Sequence, residues 1–420
     1  MISVEEALAY ILKHFQPLEP ERVSLLESLD RVLTEDIVSD INVPPFANSA
    51  MDGYAVRAED VANATTENPI RLRVIGEVAA GYTSQLKVEP GTAMRIMTGA
   101  PMPAGSDAVV RFEETSEGTA AKGEGKKREQ VSILKSVKRG DNMRNAGEDI
   151  RLGEVVFPKG TVVRAAEIGV MASLGKKLVS VYRRPRVAIL ATGDELVAID
   201  EPITPGKIRN SNEYSNAAAV LKAGGIPIQL GIARDNIDDL TSKIRAGLDA
   251  NVDLFLTSAG VSVGDYDIVK EVLNAEGEMH FWQVRMKPGK PLAFGILRAR
   301  SEKNVPLLGL PGNPVSAMIS FEVFARRAIL TMLGKTKFDR PTVRAELLED
   351  IKNDAQRRNF IRVVVEKRGS GYVARSTGEQ GSGILTSVAR ANGLVVVSED
   401  VPYVRKGETV EVQMLDMPEW

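Results

Sequence analysis

Four short segments concentrate residues whose types and spacing could do chemistry. Thr192-Gly193-Asp194-Glu195 sets two carboxylates beside a glycine that permits a tight turn. Ser258-Ala259-Gly260-Val261-Ser262-Val263-Gly264-Asp265-Tyr266-Asp267 combines small residues, which let backbone N–H groups approach an anion, with hydroxyls that can donate to phosphate. Its spacing fits neither a dinucleotide fingerprint nor a Walker loop. Lys287-Pro288-Gly289-Lys290-Pro291 stiffens a loop that displays two ammonium groups, an arrangement suited to oxyanions. Leu310-Pro311-Gly312-Asn313-Pro314-Val315-Ser316 puts Asn313 and Ser316 at a helix start. Each segment alone also fits an ordinary turn, an Asp267 helix cap or a Pro-containing helix start. Together they predict a cleft for a phosphorylated ligand and a hard cation. Asp52 in Met51-Asp52-Gly53 and Asp149 in Gly147-Glu148-Asp149 are further acids, which turn chemistry alone could explain.

Composition narrows that chemistry. The 420 residues contain no cysteine and two histidines, His14 and His280, which excludes disulfides, thiolate zinc sites, iron–sulfur clusters and Cys-His nucleophiles. A bound metal should then be a hard cation on oxygen donors, with Mg²⁺ the leading candidate. Fifty-four Lys and Arg against 56 Asp and Glu leave a formal charge of −2, so no bulk field favours nucleic acid or an anionic membrane. No apolar run approaches the roughly 20 residues of a membrane span, and the N-terminus is acidic where a signal peptide is basic; a cytoplasmic protein is expected.

The elements that must position these loops follow from periodicity. Ser3 and Glu6 have the spacing of a capping box, and Val4, Leu8, Ile11, Leu12 and Phe15 repeat at helical intervals. Residues 71–138 read as short strands between Gly and Pro turns, with 116–130 a solvated hairpin tip that is assigned no ligand. The stretch 140–183 returns the chain to its first domain. From 184 to 333, apolar strands alternate with helices, which predicts a parallel sheet covered on both faces. Short strands resume to the C-terminus. The expected fold is multidomain α/β plus β: an N-terminal α+β domain (1–45 with 140–183), a small β domain (46–139), a central α/β domain with a parallel-type sheet (184–333), and a C-terminal β domain (334–420).

Seven segments together resemble the molybdopterin molybdotransferase family, called MoeA in bacteria and the E domain in gephyrin. They are SAMDGYAV (49–56), MTGAPMPAGSDAVV (97–110), AGEDI (146–150), ATGDEL (191–196), GVSVGDYD (260–267), MKPGKP (286–291) and GLPGNPVSA (309–317). Their order spans nearly the whole chain. The last four alone would fit the broader molybdenum-cofactor biosynthesis domain. Two departures are Ala47, where many members carry Asp, and Ala259, where a Gly commonly precedes Gly260.

The resemblance implies insertion of molybdate or tungstate into adenylylated molybdopterin, with release of AMP and assistance from Mg²⁺. It implies an elongated homodimer of four-domain subunits, with molybdopterin adenylyltransferase as the pathway neighbour and neither nucleic acid nor membrane as partner. Carried over by motif, Asp52, Asp149, Glu195, Asp235 and Asp267 are the implied catalytic acids, with Asp235 and Asp267 on the metal. Thr98, Thr192, Asp194, Gly260, Ser262, Gly264, Lys287, Lys290, Pro311, Asn313 and Ser316 are the implied substrate contacts. Asp52, Thr98 and Asp149 would approach from the partner subunit. The Arg357-to-Arg362 segment resembles the family's Arg-x-x-Phe-x-Arg pattern, so Arg357 with Ser382 or Ser387 would hold the incoming molybdate. Two competing functions share the cleft: a scaffold without turnover, and the adenylyltransferase of the preceding step, which would consume ATP.

Overall fold

The computed structural model describes residues 1–118, 129–258, 268–298, 304–353 and 356–416. It divides into two compact units, a larger one of Met1–Val23, Asp30–Thr34 and Ser180–Trp420 and a smaller one of Ser24–Leu29 and Glu35–Val179. Helix α1 (Val4–Leu12) opens the larger unit. The Glu6 carboxylate accepts the Ser3 N–H at 2.7 Å and Ser3 Oγ accepts the Glu6 N–H at 3.1 Å, the reciprocal cap that the spacing predicts. Val4, Ala7 and Ile11 lie on one face and bury there with Phe15.

In the smaller unit, β1 (Gly53–Val56), β2 (Ile70–Val78), β3 (Thr92–Ile96), β4 (Ala108–Arg111) and β5 (Gln130–Ile133) form one sheet in the order β4-β1-β3-β2-β5. Strand β1 begins at Gly53, the last residue of the Met51-Asp52-Gly53 segment that reads as a turn in the sequence. It forms because Tyr54 and Val56 pack with Leu72, Ala93, Val110 and Ile133, and because Gly53 lets β4 approach closely. A Cβ on Gly53 would stand 1.9 Å from the Val110 carbonyl oxygen. Helix α2 (Ala165–Ser173) closes this part of the chain. Residues 119–128 of the polar tip lie outside the described residues.

The larger unit continues with β6 (Arg186–Thr192), α3 (Ser211–Ala223), β7 (Ile226–Ala233), α4 (Ile237–Asp249), β8 (Leu254–Ser258), α5 (Ile268–Glu276), β9 (Gly277–Gln283), β10 (Pro291–Arg298) and β11 (Asn304–Leu310). The sheet order is β7-β6-β8-β11-β10-β9. The first four strands are parallel, and β10 runs antiparallel to both of its neighbours, β11 and β9. The expected parallel sheet is therefore mixed: β9 and β10 are joined by residues 284–290 alone, too short a connection for a parallel crossover. In β6, Val187 and Ile189 bury with α3 residues such as Val220, while Ala188 and Leu190 bury with Leu240 and Ile244 of α4. Two buried faces explain why the strand has no polar alternation. A helical run follows, α6 (Pro314–Ser320), a π turn at Phe321–Ala325 and α7 (Arg326–Met332).

An ion pair ties the amino-terminal ends of the neighbouring parallel strands β6 and β8, away from their carboxyl ends. Arg183 donates from both Nη atoms to the Asp253 carboxylate at 2.6 and 2.7 Å, and the same carboxylate accepts the Arg186 N–H at 2.9 Å. Beyond α7 lie β12 (Thr342–Leu347), β13 (Arg358–Arg368), β14 (Gly371–Ser376), α8 (Leu385–Ala389), β15 (Gly393–Val397) and β16 (Thr409–Met414). They pair as β13-β14-β12-β16-β15, and β15 pairs back onto β13 to close a small barrel without open edges.

Candidate functional site

A cleft of about 910 Å³ opens at the carboxyl ends of β6, β8 and β11, where open α/β sheets bind ligands. Thr192 and Glu195 enter it from the end of β6, Ser258 from β8, and Pro311, Asn313 and Ser316 from the segment that joins β11 to α6. Lys287, Gly289 and Lys290 form one wall, and Arg357, Gln380, Gly381, Ser382 and Gly383 of the barrel form another.

Backbone pairing holds these walls in register. Met286-Lys287 runs parallel to Arg358-Asn359, and the Arg285 carbonyl accepts the Arg358 N–H at 2.9 Å, so the Lys287 loop and the Arg357 segment are fixed to each other. Gly289 adopts φ +104°, and a Cβ there would stand 2.7 Å from Ser320 Oγ. Only glycine lets this loop lie down on α6. The Ser382 carbonyl accepts the Val315 N–H at 3.1 Å, which joins the barrel loop to the start of α6.

Helix α3 contributes a feature that the loops did not announce. Asn210 caps it by accepting the Glu213 N–H, and Asn210, Ser211 and Asn212 line the cleft, so the positive end of a 13-residue helix faces it. Asn212 Nδ2 donates to the Gly312 carbonyl at 2.7 Å and ties that end to the β11 loop. Glu213 is buried one turn in, where it accepts from Asn210 Nδ2 at 2.7 Å and the Gly231 N–H at 3.2 Å. Burial pushes its carboxyl pKa up. The Asn-x-x-Glu spacing at 210–213 is the sequence signal for this helix start.

The charge balance is one-sided. Among the described residues, Arg209, Lys287, Lys290 and Arg357 line the cleft against one carboxylate, Glu195. Such a site attracts and orients oxyanions.

Comparison with known proteins follows the same lines. The MoeA N-terminal region (domains I and II) matches residues 2–175, the probable molybdopterin binding domain residues 188–331, and the MoeA C-terminal region (domain IV) residues 344–415. The chain is 37% identical over 401 residues to a molybdopterin molybdenumtransferase of Nostoc sp., covering 94% of this chain and 89% of that one. It belongs to the MoeA family. A Bacillus subtilis molybdopterin molybdenumtransferase is 36% identical over 416 residues, 99% of this chain and 94% of that one. The crystal structure of the molybdopterin biosynthesis moeA protein from Pyrococcus horikoshii OT3 superposes with a TM-score of 0.81 at 32% identity, covering 99% of this chain and 100% of that one.

The remaining motif residues of this MoeA family member are distributed more widely. Asp194 and Asp235 face each other across two loops: each carboxylate accepts the other's backbone N–H at 3.3 Å. Neither lines the cleft. Ser387 lies behind the barrel loop, buried, donating to the Ile384 carbonyl at 2.7 Å. Asp52 and Thr98 meet in the smaller unit, where Asp52 Oδ1 accepts the Thr98 N–H and hydroxyl, both at 2.7 Å. These two bonds hold the Asp52 pKa below the usual carboxylate value. Asp149 is exposed in the same unit. Gly260, Ser262, Gly264 and Asp267 lie outside the described residues. Among the described residues no three His, Asp or Glu side chains gather as a metal site, and no helix is long and apolar enough to cross a membrane.

Proposed function

We propose that this chain is a molybdopterin molybdenumtransferase that inserts molybdate, or tungstate, into adenylylated molybdopterin and releases AMP. The carrying observation is the cleft, where four cations and a helix N-terminus stand against one described carboxylate at the ends of the parallel strands. Both substrates are anions, and their mutual repulsion must be offset by charges already in place. In this reading Lys287, Lys290 and Ser316 hold the phosphate-bearing pterin, and Arg357 with Ser382 receives the oxyanion. Thr192 and Asn313 orient the ligand between them. The dithiolene sulfurs come from the pterin, so a chain without cysteine brings no competing thiol to a soft metal centre.

Mg²⁺ is the proposed assisting cation. The Asp194–Asp235 pair offers oxygen donors only, which suits a hard ion. Asp235 with Asp267 would hold it, and when bound it would neutralise charge on the phosphate linkage being cleaved. The reading includes a cytoplasmic homodimer supplied by molybdopterin adenylyltransferase.

The test incubates the full chain with adenylylated molybdopterin and Mg²⁺, with and without molybdate or tungstate, and follows AMP by chromatography. Oxyanion-dependent AMP release is expected, and chelation of Mg²⁺ should suppress it. Tight binding of the pterin without AMP release would refute the transferase reading in favour of a scaffold.

A further inference from the structure

Arg362, in β13, is the largest fully buried side chain of the described residues, with no exposed surface. Burial alone pushes its pKa down to about 10. Three other shielded arginines have acids: Arg31 pairs with Glu21, Arg183 with Asp253 and Arg340 with Glu322. Among the described residues Arg362 has no carboxylate. Its Nε donates to Ser387 Oγ at 3.2 Å, Nη2 to the Gly381 carbonyl at 3.3 Å and Nη1 to the Phe360 carbonyl at 3.5 Å, all neutral oxygens. A buried cation kept on neutral partners costs stability, so its retention calls for a compensating task.

Its contacts indicate the task. The Gln380 side chain accepts the Arg362 N–H at 2.9 Å, so the residue grips the Gln380–Gly383 segment twice, by backbone and by guanidinium. That segment lines the cleft opposite the lysine loop. With the Gly381 carbonyl drawn inward, the N–H groups of Gly381, Ser382 and Gly383 have no partner among the described residues. The Ile384 N–H closes a turn onto the Gly381 carbonyl, and successive N–H groups left open to the cleft in a turn suit an anion.

We propose that Arg362 is a positioning residue for the oxyanion end of the cleft, acting through Gly381 and Ser387 to present Ser382 and the loop N–H groups while adding an uncompensated positive charge behind them. This rests on the transferase reading for the identity of the anion. Arg362 does not touch the anion. Ser387 acts in the same way, as the hydroxyl that orients the guanidinium.

The test compares wild type, Arg362→Met, Arg362→Lys and Ser387→Ala as full chains. Tungstate binding is measured by calorimetry, and the molybdate dependence of AMP release by kinetics. Arg362→Met should weaken tungstate binding and raise the half-saturating molybdate concentration by about ten-fold or more, as loss of a poorly screened positive charge behind the loop does. Turnover at saturating molybdate and the half-saturating pterin concentration should stay within about two-fold of wild type, because uniform binding of the oxyanion is what is lost. Arg362→Lys should recover part of the affinity through its charge, and Ser387→Ala should fall between. Wild-type tungstate affinity in folded Arg362→Met, or equal weakening of tungstate and pterin binding in all three variants, overturns the proposal. If Arg362→Met does not fold, an unchanged molybdate requirement in Ser387→Ala overturns it. A wild-type chain that binds tungstate without releasing AMP refutes the transferase reading and leaves the calorimetric comparison to decide on Arg362; one that binds no tungstate overturns both.

Discussion

Arg183→Met should destabilise the larger unit in a way that depends on pH. Asp253 is 2% exposed in its side chain, and Arg183 supplies two of its short hydrogen bonds. Breaking a buried pair from one side costs about 3–5 kcal/mol, because the stranded charge keeps its desolvation penalty. The Arg186 N–H at 2.9 Å still serves the carboxylate, which places the expectation near the lower limit, about 3 kcal/mol. For a unit of this size that corresponds to a melting-temperature loss of about 6–12 °C. In the variant, burial without its cation raises the Asp253 pKa above the unfolded value, so the folded state takes up a proton as pH falls and part of the loss is regained. The assay is urea unfolding followed by fluorescence of Trp282, at neutral pH and near the carboxylate range. Arg183→Met/Asp253→Asn should recover most of the stability. A single variant within about 0.5 kcal/mol of wild type, or one whose deficit does not shrink on acidification, would refute the argument. The cleft lies at the far ends of β6 and β8, so the variant at low temperature should retain its affinity for tungstate.

Two further outcomes follow from local geometry. Gly53→Ala forces a methyl against the Val110 carbonyl, where its Cβ would stand 1.9 Å from the oxygen, and should cost about 1–3 kcal/mol by overpacking while displacing the neighbouring Asp52 from Thr98. Thermal unfolding that matches wild type would contradict it. Glu167→Gln probes the start of α2, where hydrogen bonds from Arg164 hold the Glu167 pKa down to about 2 from an ordinary 4.5. A depressed folded-state pKa contributes stability above the unfolded value and loses it as pH falls through the folded one. The gap in melting temperature between wild type and Glu167→Gln should therefore be constant above pH 4.5 and close as pH approaches 2; circular dichroism melts that keep the full gap in acid would show that the carboxylate charge is not its source.

Much of the central architecture was legible because it is local. The Ser3–Glu6 cap, the helical repeat of α1 and the apolar runs of β6 and β8 are written in adjacent residues. The loops holding Thr192, Glu195, Lys287, Lys290, Asn313 and Ser316 share one cleft because they cluster at one end of one sheet. Strand β1 was hidden since its pairing partners lie some 40 and 55 residues onward, at Met94–Ile96 and Ala108–Arg111. The reversed sense of β10 was missed for a different reason: propensity marks a strand, whereas its sense is decided by the short connection through residues 284–290, which carry the lysine loop.

Residue types and spacing by themselves determined the class of chemistry, since a chain without cysteine and with paired lysines, strand-end acids and hydroxyl-bearing helix starts can serve anionic ligands and a hard cation but not thiolate chemistry. Only the tertiary structure decided which groups share a site. It turned the α3 N-terminus into the cleft and brought Arg357 beside Lys287. It drew Ser387 behind the barrel loop and enclosed Arg362 without an acid. The physical reason is that burial and long-range strand pairing set the electrostatic worth of a side chain, and neither is a property of its sequence neighbours.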